Sequence, residues 1–312
     1  MDLSVIIVTR DTCAQTALAI ASVFDSQDDF AKEVIVMDNG STDSTRQVIP
    51  IKFPTVSYRF VERNLGFAAA NNLGARGASG EFLVLLNSDA RLQPDALLTA
   101  LAWMRAHPEC GIAGAQLLNP DGSPQNSIAN SPTLATELLN KSLLRRLFPK
   151  RFPGKERHFS EPVEVESVVG AFMLIRSSLW KTIGGLDERY FFFFEETDFC
   201  QQARRQGWKV FHLPQAHVWH EQGKSAKQMA AAARIEYWRS RYAYFRRHHS
   251  RFTQTVLVIG LGLRLLVDWL SSLLGVMLSL GTKTRWRDKH RVQTSLLSWH
   301  LRGCPAYMGL PR

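Results

Sequence analysis

Along the first half of the chain, short apolar runs alternate with segments whose apolar residues fall at helical spacing. Leu3 to Val8, Val34 to Met37, Val56 to Val61 and Glu81 to Leu86 read as strands, and Thr12 to Phe24, Ser44 to Ile49 and Gly66 to Ala78 as helices between them. Strands separated by helical patterns imply βαβ units and a mainly parallel sheet, an α/β fold of nucleotide-binding type. A helix starting near Pro94 and a strand near Ile112 to Gln116 continue the series. Residues 119–162 are rich in Pro, Asn, Ser and Arg, with weak patterning, and read as a variable insertion. Strand character resumes over Glu166 to Arg176, and Asp198 to Gln206 looks helical.

The longest apolar stretch lies near the other end. Residues 256–281 are apolar enough and long enough for a bilayer apart from Arg264 and Asp268. Gly260, Arg264, Asp268, Ser271 or Ser272, Gly275 and Ser279 recur every three or four residues. On a helix they form one narrow stripe, with leucines covering the rest. Such a stripe suits either headgroups or a partner helix, so the segment is expected to lie on the membrane, with a single span as the alternative.

Charge follows the same division. Residues 234–312 hold 14 Lys or Arg against Glu236, Asp268 and Asp288, while the rest of the chain is nearly balanced. Basic clusters flanking a leucine-rich helix favour anionic lipid over nucleic acid, at about 1 kcal/mol per basic residue near the surface. Residues 1–230 and 231–312 are therefore expected to be separate units. Cys13, Cys110, Cys200 and Cys304 are scattered without a Cys-x-x-Cys pair, and no secretory leader precedes Leu3, which points to reduced thiols on the cytosolic side.

Candidate chemistry sits where the strands end. Phe82–Leu86 runs into Asn87-Ser88-Asp89, placing a carboxylate at the edge where open α/β sheets bind ligands. Asp38, opening Asp38-Asn39-Gly40-Ser41-Thr42-Asp43 after the second strand, suits first a turn and cap, though a carboxylate at this crevice can also accept from a nucleobase N–H or ribose hydroxyl. Asn64-Leu65-Gly66-Phe67 opens a helix with small residues, where backbone N–H groups can approach a diphosphate. No Gly-x-Gly-x-x-Gly or phosphate-loop lysine motif accompanies it, which removes the usual signatures of hydride transfer and ATP hydrolysis. Four phenylalanines, Phe191 to Phe194, precede Glu195, Glu196 and Asp198. Clustered carboxylates beside an apolar wall have raised pKa values, which suits a general base. His217 and His220 share a face on a helical turn and face opposite ways in an extended segment, so at most one is a ligand. His220, just before Gly223-Lys224-Ser225, is the better placed.

In their order these strings, together with Gly170-Ala171-Phe172-Met173-Leu174-Ile175-Arg176 and Gly184-Gly185-Leu186-Asp187-Glu188, resemble the inverting family 2 glycosyltransferases over residues 3–225. Within the family they look most like the rhamnosyltransferase-type branch that elongates lipid-linked cell-envelope glycans. The resemblance implies a GT-A fold, a nucleotide-diphosphate sugar donor, Mg²⁺ or Mn²⁺, and a lipid-linked glycan acceptor at the cytoplasmic face of the inner membrane. It assigns Thr9 and Asp38 to base and ribose, with Asn64, Gly66, Asn71, Arg76, Asn87 and Ser88 completing the donor site. Asp89 would bind the metal, His220 the metal or diphosphate, and Glu196 would be the base, supported by Glu195 and Asp198. Two departures stand out. Asn87-Ser88-Asp89 lacks the first acid of an Asp-x-Asp, and Arg10-Asp11 stands where relatives often have Tyr-Asn. Transfer of another hexose to a protein or soluble glycan, and a non-catalytic nucleotide-sugar-binding protein, are the competing expectations.

Overall fold

The computed structural model describes residues 1–27, 29–148, 159–221 and 229–312. Its first half alternates strictly: β1 (Leu3–Thr9), α1 (Cys13–Phe24), β2 (Lys32–Asn39), α2 (Thr45–Lys52), β3 (Ser57–Val61), α3 (Phe67–Ala75) and β4 (Phe82–Asn87). Next come β5 (Ala90–Leu92), α4 (Ala96–Ala106), β6 (Cys110–Leu118), β7 (Ile128–Ala129), α5 (Leu134–Leu138) and α6 (Lys141–Leu147). The transferase-like region closes with β8 (Val163–Glu164), β9 (Ser167–Val168), β10 (Phe172–Arg176), α7 (Ser177–Ile183), α8 (Glu195–Arg205) and β11 (Lys209–His220). Three long helices follow, α9 (Ala230–His248), α10 (Arg251–Leu278) and α11 (Thr284–Leu301). The Gly223-Lys224-Ser225 loop and part of the 119–162 insertion lie outside the described residues.

The sheet has nine strands in the order β3-β2-β1-β4-β10-β6-β11-β5, with β8 beside β11. β3, β2, β1 and β4 are parallel, as their helical crossovers require, and β6 pairs parallel with β11. β10 inserts antiparallel between β4 and β6, making the whole sheet mixed. Both faces are covered, so the inner strands are apolar without alternation. In β1, Val5 and Ile7 join the core under α1 and α4, while Ile6 joins the core under α3, α7 and α8.

A third core belongs to the C-terminal helices. Ile235, Trp238, Tyr244, Leu257, Leu261, Leu265, Leu296 and Trp299 pack with Tyr190 and Phe194 of the aromatic run. The small-residue stripe of α10 meets the protein itself. A Cβ on Gly260 would stand 2.7 Å from Leu138 of α5, and one on Gly275 would stand 2.4 Å from Trp286 of α11. The opposite face of α10 is bare: Val258, Ile259, Leu263, Val267, Leu270, Leu274 and Met277 are each at least half exposed.

Candidate active site

The site forms where β1, β2 and β4 end together. In register, Thr9 faces Asp38, and Val8 faces Asn87. The Asp38 carboxylate is fully buried; Oδ1 accepts the Ser41 N–H at 2.8 Å, and Oδ2 accepts the Tyr58 hydroxyl. Burial and this carboxylate push the Tyr58 phenol up, so it stays a donor. Both carboxylate oxygens thus have protein partners, and Asp38 presents no exposed surface to a ligand. Thr9 is also fully buried, its hydroxyl bonded to Thr16 at 2.6 Å and to Thr12 at 3.0 Å. Thr12 in turn donates to Ser88 Oγ at 3.0 Å. Thr9 thus lies beneath the site and reaches it through Thr12 and Ser88.

The β2 and β3 loops are joined by an Asn39–Asn64 pair. Asn39 Nδ2 donates to Asn64 Oδ1 at 2.9 Å, and Asn39 Oδ1 accepts the Leu65 N–H at 2.8 Å. Gly66 follows at φ +86°, and a Cβ there would stand 2.5 Å from the Phe191 carbonyl oxygen, so only glycine fits. The Phe67 N–H donates to that same carbonyl at 2.8 Å, tying the start of α3 to the aromatic run. Asn71 is buried, and its amide donates to the Phe67 carbonyl at 2.9 Å, bracing the helix from inside. Arg76, ten residues beyond Gly66, lies roughly 15 Å away at 1.5 Å per residue. It is near Ser79, which bonds Glu33 at the start of β2. The structure therefore keeps Arg76 at the opposite end of the sheet from the other donor-site candidates.

Asp89 and His220 are brought together by strand pairing. β5 begins one residue after Asp89 and runs antiparallel to β11, with Ala90 opposite His220. Asp89 Oδ1 lies 3.4 Å from His220 Nε2. The other ring nitrogen, Nδ1, is 2.8 Å from the Gln125 side-chain oxygen. A carbonyl accepts only, so Nδ1 carries a proton in this contact, which orients Nε2 toward the carboxylate. Two ligands at right angles on a cation with about 2.1 Å bonds stand about 3.0 Å apart, close to this spacing. Among the described residues no three His, Cys, Asp or Glu side chains cluster as a cage. The pair fits a cation whose remaining ligands are substrate oxygens and water. His217 is half-buried on the opposite face of the extended β11.

The acidic cluster begins α8. Phe193 and Phe194 both adopt φ +72°, a left-handed conformation costing about 1–3 kcal/mol each for such side chains. That turn buries Glu195 and leaves Glu196 partly buried. Burial, then the Glu196 charge, raises the Glu195 carboxyl well above the usual range. Glu196 packs over Gly170, where a Cβ would lie 3.6 Å from its own Cβ. The next residue, Ala171, accepts the Asn87 N–H at 3.1 Å, so Glu196 belongs to the same corner as the Asn87-Ser88-Asp89 strand end. Asp198 points elsewhere. Its fully buried carboxylate accepts the Tyr190 hydroxyl at 3.1 Å and Gln202 Nε2 at 2.7 Å, and it pairs with His248 and with Arg247 Nε at 3.3 Å.

Several site features were not singled out from the sequence. Gln125 acts on a histidine 95 positions away, and no local pattern marks it. Tyr58 is one of the alternating residues of an edge strand. The C-terminal residues also return to the donor side: the Pro311 carbonyl accepts Asn64 Nδ2 at 2.8 Å, and the Arg312 guanidinium lies 4.9 Å from the Phe191 ring centroid.

The family model for glycosyl transferase family 2 matches residues 4–184. The chain is 30% identical over 237 residues to the N-acetylglucosaminyl-diphospho-decaprenol L-rhamnosyltransferase of Mycobacterium tuberculosis, covering 70% of this chain and 75% of that one. It is 29% identical over 195 residues to the low-salt glycan biosynthesis hexosyltransferase Agl10 of Haloferax volcanii, covering 61% and 59%. Among solved structures, the mannosyltransferase PcManGT of Pyrobaculum calidifontis, in complex with GDP-Man and Mn²⁺, superposes with a TM-score of 0.56 at 16% identity over 96% of this chain and 86% of that one. With its strand-end motifs in sequence order on this mixed sheet, the chain belongs to glycosyl transferase family 2 and is a glycosyltransferase of GT-A fold.

Proposed function

We propose that the chain transfers a sugar, rhamnose by its relatives, from a nucleotide-diphosphate donor to a hydroxyl of a lipid-linked cell-envelope glycan, with inversion at the anomeric carbon. The observation that carries the reading is the Asp89–His220 pair, 3.4 Å apart, at the strand end that Glu196 also approaches. Asp38 and Asn64 border the nucleoside side of that edge; Gly66, expected to let a diphosphate approach, instead makes room for the Phe191 carbonyl, and its own N–H donates to Asn64 Oδ1 at 3.0 Å. Asp89 and His220 would hold Mg²⁺ or Mn²⁺, which supplies neutralisation of the charge that develops on the departing diphosphate. Glu196 takes the proton of the attacking hydroxyl. Burial, then the Glu196 charge, disfavours ionisation of Glu195 beside it. Asp198 fixes α8 in place and acts on Glu196 only through that helix.

The acceptor assignment rests on the Mycobacterium tuberculosis relative, whose name specifies a diphospho-decaprenol acceptor. Residues 1–230 form the transferase unit in this reading, and residues 231–312 attach it to the membrane. α10 lies in the plane of the cytoplasmic leaflet rather than crossing it, because Leu257, Leu261 and Leu265 on its inner face are already buried by protein. Lys283, Arg285, Arg287, Lys289 and Arg291 would meet anionic headgroups.

The test is donor binding by calorimetry on detergent-solubilised protein. dTDP-rhamnose, UDP-glucose, UDP-N-acetylglucosamine and UDP-galactose are titrated with and without Mn²⁺, against Asp89→Ala. One donor bound in a metal- and Asp89-dependent manner supports the assignment and names the sugar. Folded protein that binds none of them, or binds one equally well as Asp89→Ala, refutes it.

A further inference from the structure

Beside Glu196 lies a cavity of about 240 Å³ that contains none of the donor-side candidates Thr9, Asp38, Asn64, Asp89 or His220. Its wall is built from Glu196 and Thr197 of α8, Tyr237 of α9, Glu137 of α5 and Arg145 of α6. One of the two acids is already paired by protein. The Glu137 carboxylate is bound by Arg241 Nη1 at 3.0 Å, both side chains being more than nine-tenths buried. Arg264 donates to the Glu137 carbonyl at 3.3 Å, and Arg234 lies 5.7 Å from the Tyr237 ring centroid. Three guanidinium groups thus stand behind the Glu137–Tyr237 side of the cavity. In front of them Arg145, in the wall itself, has no ion-pair or hydrogen-bond partner among the described residues. Arg241 Nε and Nη2 are buried with no hydrogen-bond partner there either. Arg241 lies behind the lining, 4.4 Å from the Trp238 ring centroid, so Arg145 is the guanidinium that faces the cavity, and its unused donors suit phosphoryl oxygens.

The elements that carry this charge also carry bare apolar surface. Leu139, Leu143, Leu147 and Phe148, on and beside α6, are each more than half exposed. α5, which precedes α6, packs Leu138 on Gly260 of α10, so this surface adjoins the exposed leucine face of α10. A cavity with a candidate base in one wall, arginine in another and an apolar collar fits an amphiphile whose anionic linker joins a sugar to a hydrocarbon chain.

We propose that this cavity is the acceptor subsite, and that Arg145, backed by Arg241, Arg234 and Arg264, binds the diphosphate linking the acceptor sugar to its lipid. The inference rests on the transferase reading above and deepens it. The hydrocarbon lies along Leu143, Leu147 and Phe148, and the sugar hydroxyl reaches Glu196.

The test is equilibrium binding to the full chain in detergent micelles, read by tryptophan fluorescence, with geranylgeranyl diphosphate, geranylgeraniol and inorganic diphosphate as probes. The expected result is at least ten-fold tighter binding of the lipid diphosphate than of either other probe. Arg145→Gln should abolish that preference, and Arg145→Lys should restore part of it. Saturating dTDP or UDP should leave the lipid diphosphate bound. Equal affinity for the alcohol, equal affinity for inorganic diphosphate, unchanged discrimination in Arg145→Gln, or displacement by the nucleotides would each overturn the proposal. Because no transfer is measured, failure of the donor reading shows up separately, in the calorimetry with Asp89→Ala.

Discussion

Glu196 and Asp198 are two residues apart on one helix, and the structure assigns them opposite consequences on mutation. The Asp198 carboxylate is fully buried and joins α8 to the end of α9 through His248 and Arg247. Removing one member of a buried charged pair typically costs about 3–5 kcal/mol. In Asp198→Asn the amide would keep one acceptor oxygen, and Arg247 would keep Asp187, which it also contacts. The expected cost of that substitution is therefore about 2–3 kcal/mol. With an unfolding entropy of about 2.1 cal/mol/K per residue over 312 residues, that lowers Tm by about 3–5 °C. Turnover measured well below the melt should stay within about threefold, since a group that only positions a helix contributes no proton transfer. Glu196→Gln should do the reverse: kcat falls about 10²–10⁴-fold while Tm moves by less than about 1 °C. Calorimetric melts and initial rates on the two variants decide the matter. Asp198→Asn that melts with the wild type yet loses a hundredfold in kcat would refute this division of roles.

Gln125→Leu should weaken Mn²⁺ binding about 10–100-fold without touching a ligand, because His220 loses the acceptor that fixes its tautomer; Mn²⁺ titration followed by electron paramagnetic resonance reads this directly. The Glu195 carboxyl is raised above its unfolded value, so its contribution to stability is complete at low pH and is lost as pH climbs toward the folded value. Glu195→Gln should therefore gain in urea midpoint over the wild type as pH rises from about 4 to about 8, and parallel curves would contradict the assignment. His212, buried on β11 against Phe159, has its pKa lowered to about 4 from 6.5 by burial. The unfolded chain takes up that proton first, so stability is complete above about pH 6.5 and falls by up to about 3 kcal/mol as pH drops to about 4; His212→Phe should flatten this part of the profile.

What could be read from the sequence was what is encoded locally. β1, β2 and β4 announce themselves because burial on both faces demands unbroken apolar runs, and their ends fix where Asp38 and Asp89 emerge. β11 is less visible. It is the longest strand, but Pro214 and a register shift between Leu213 and His217 interrupt its pairing with β6, and its histidines break the apolar pattern. The 119–162 insertion reads as unpatterned for a similar reason. α5 has only five residues, and its key side chain, Glu137, is satisfied by Arg241 more than a hundred positions away. The stripe on α10 is visible in the sequence, but its partners are not, since Leu138 and Trp286 are named only by the fold. Arg76 shows the limit of carrying over a motif: proximity in sequence to Gly66 does not survive ten residues of helix.

The C-terminal helices also shape the candidate site. The aromatic run that delivers Glu196 takes its shape from them: Ser240 of α9 donates to the Phe192 carbonyl at 2.9 Å, Phe194 packs at a tilt against Tyr237 and Tyr244, and Tyr190 belongs to the same core. Two left-handed phenylalanines in succession hold a conformation that is unfavourable alone, so it persists only because packing on α9 over-determines it. α9 in turn is buried by α10 and α11 through Leu257, Leu261, Leu265 and Leu296. Deleting residues 252–312 would uncover those contacts and release the turn before α8. A transferase whose soluble acceptor made the tail dispensable would keep full activity after that deletion. Here the loss should extend to soluble acceptors, because the turn that places Glu196, the proposed base, is released as well.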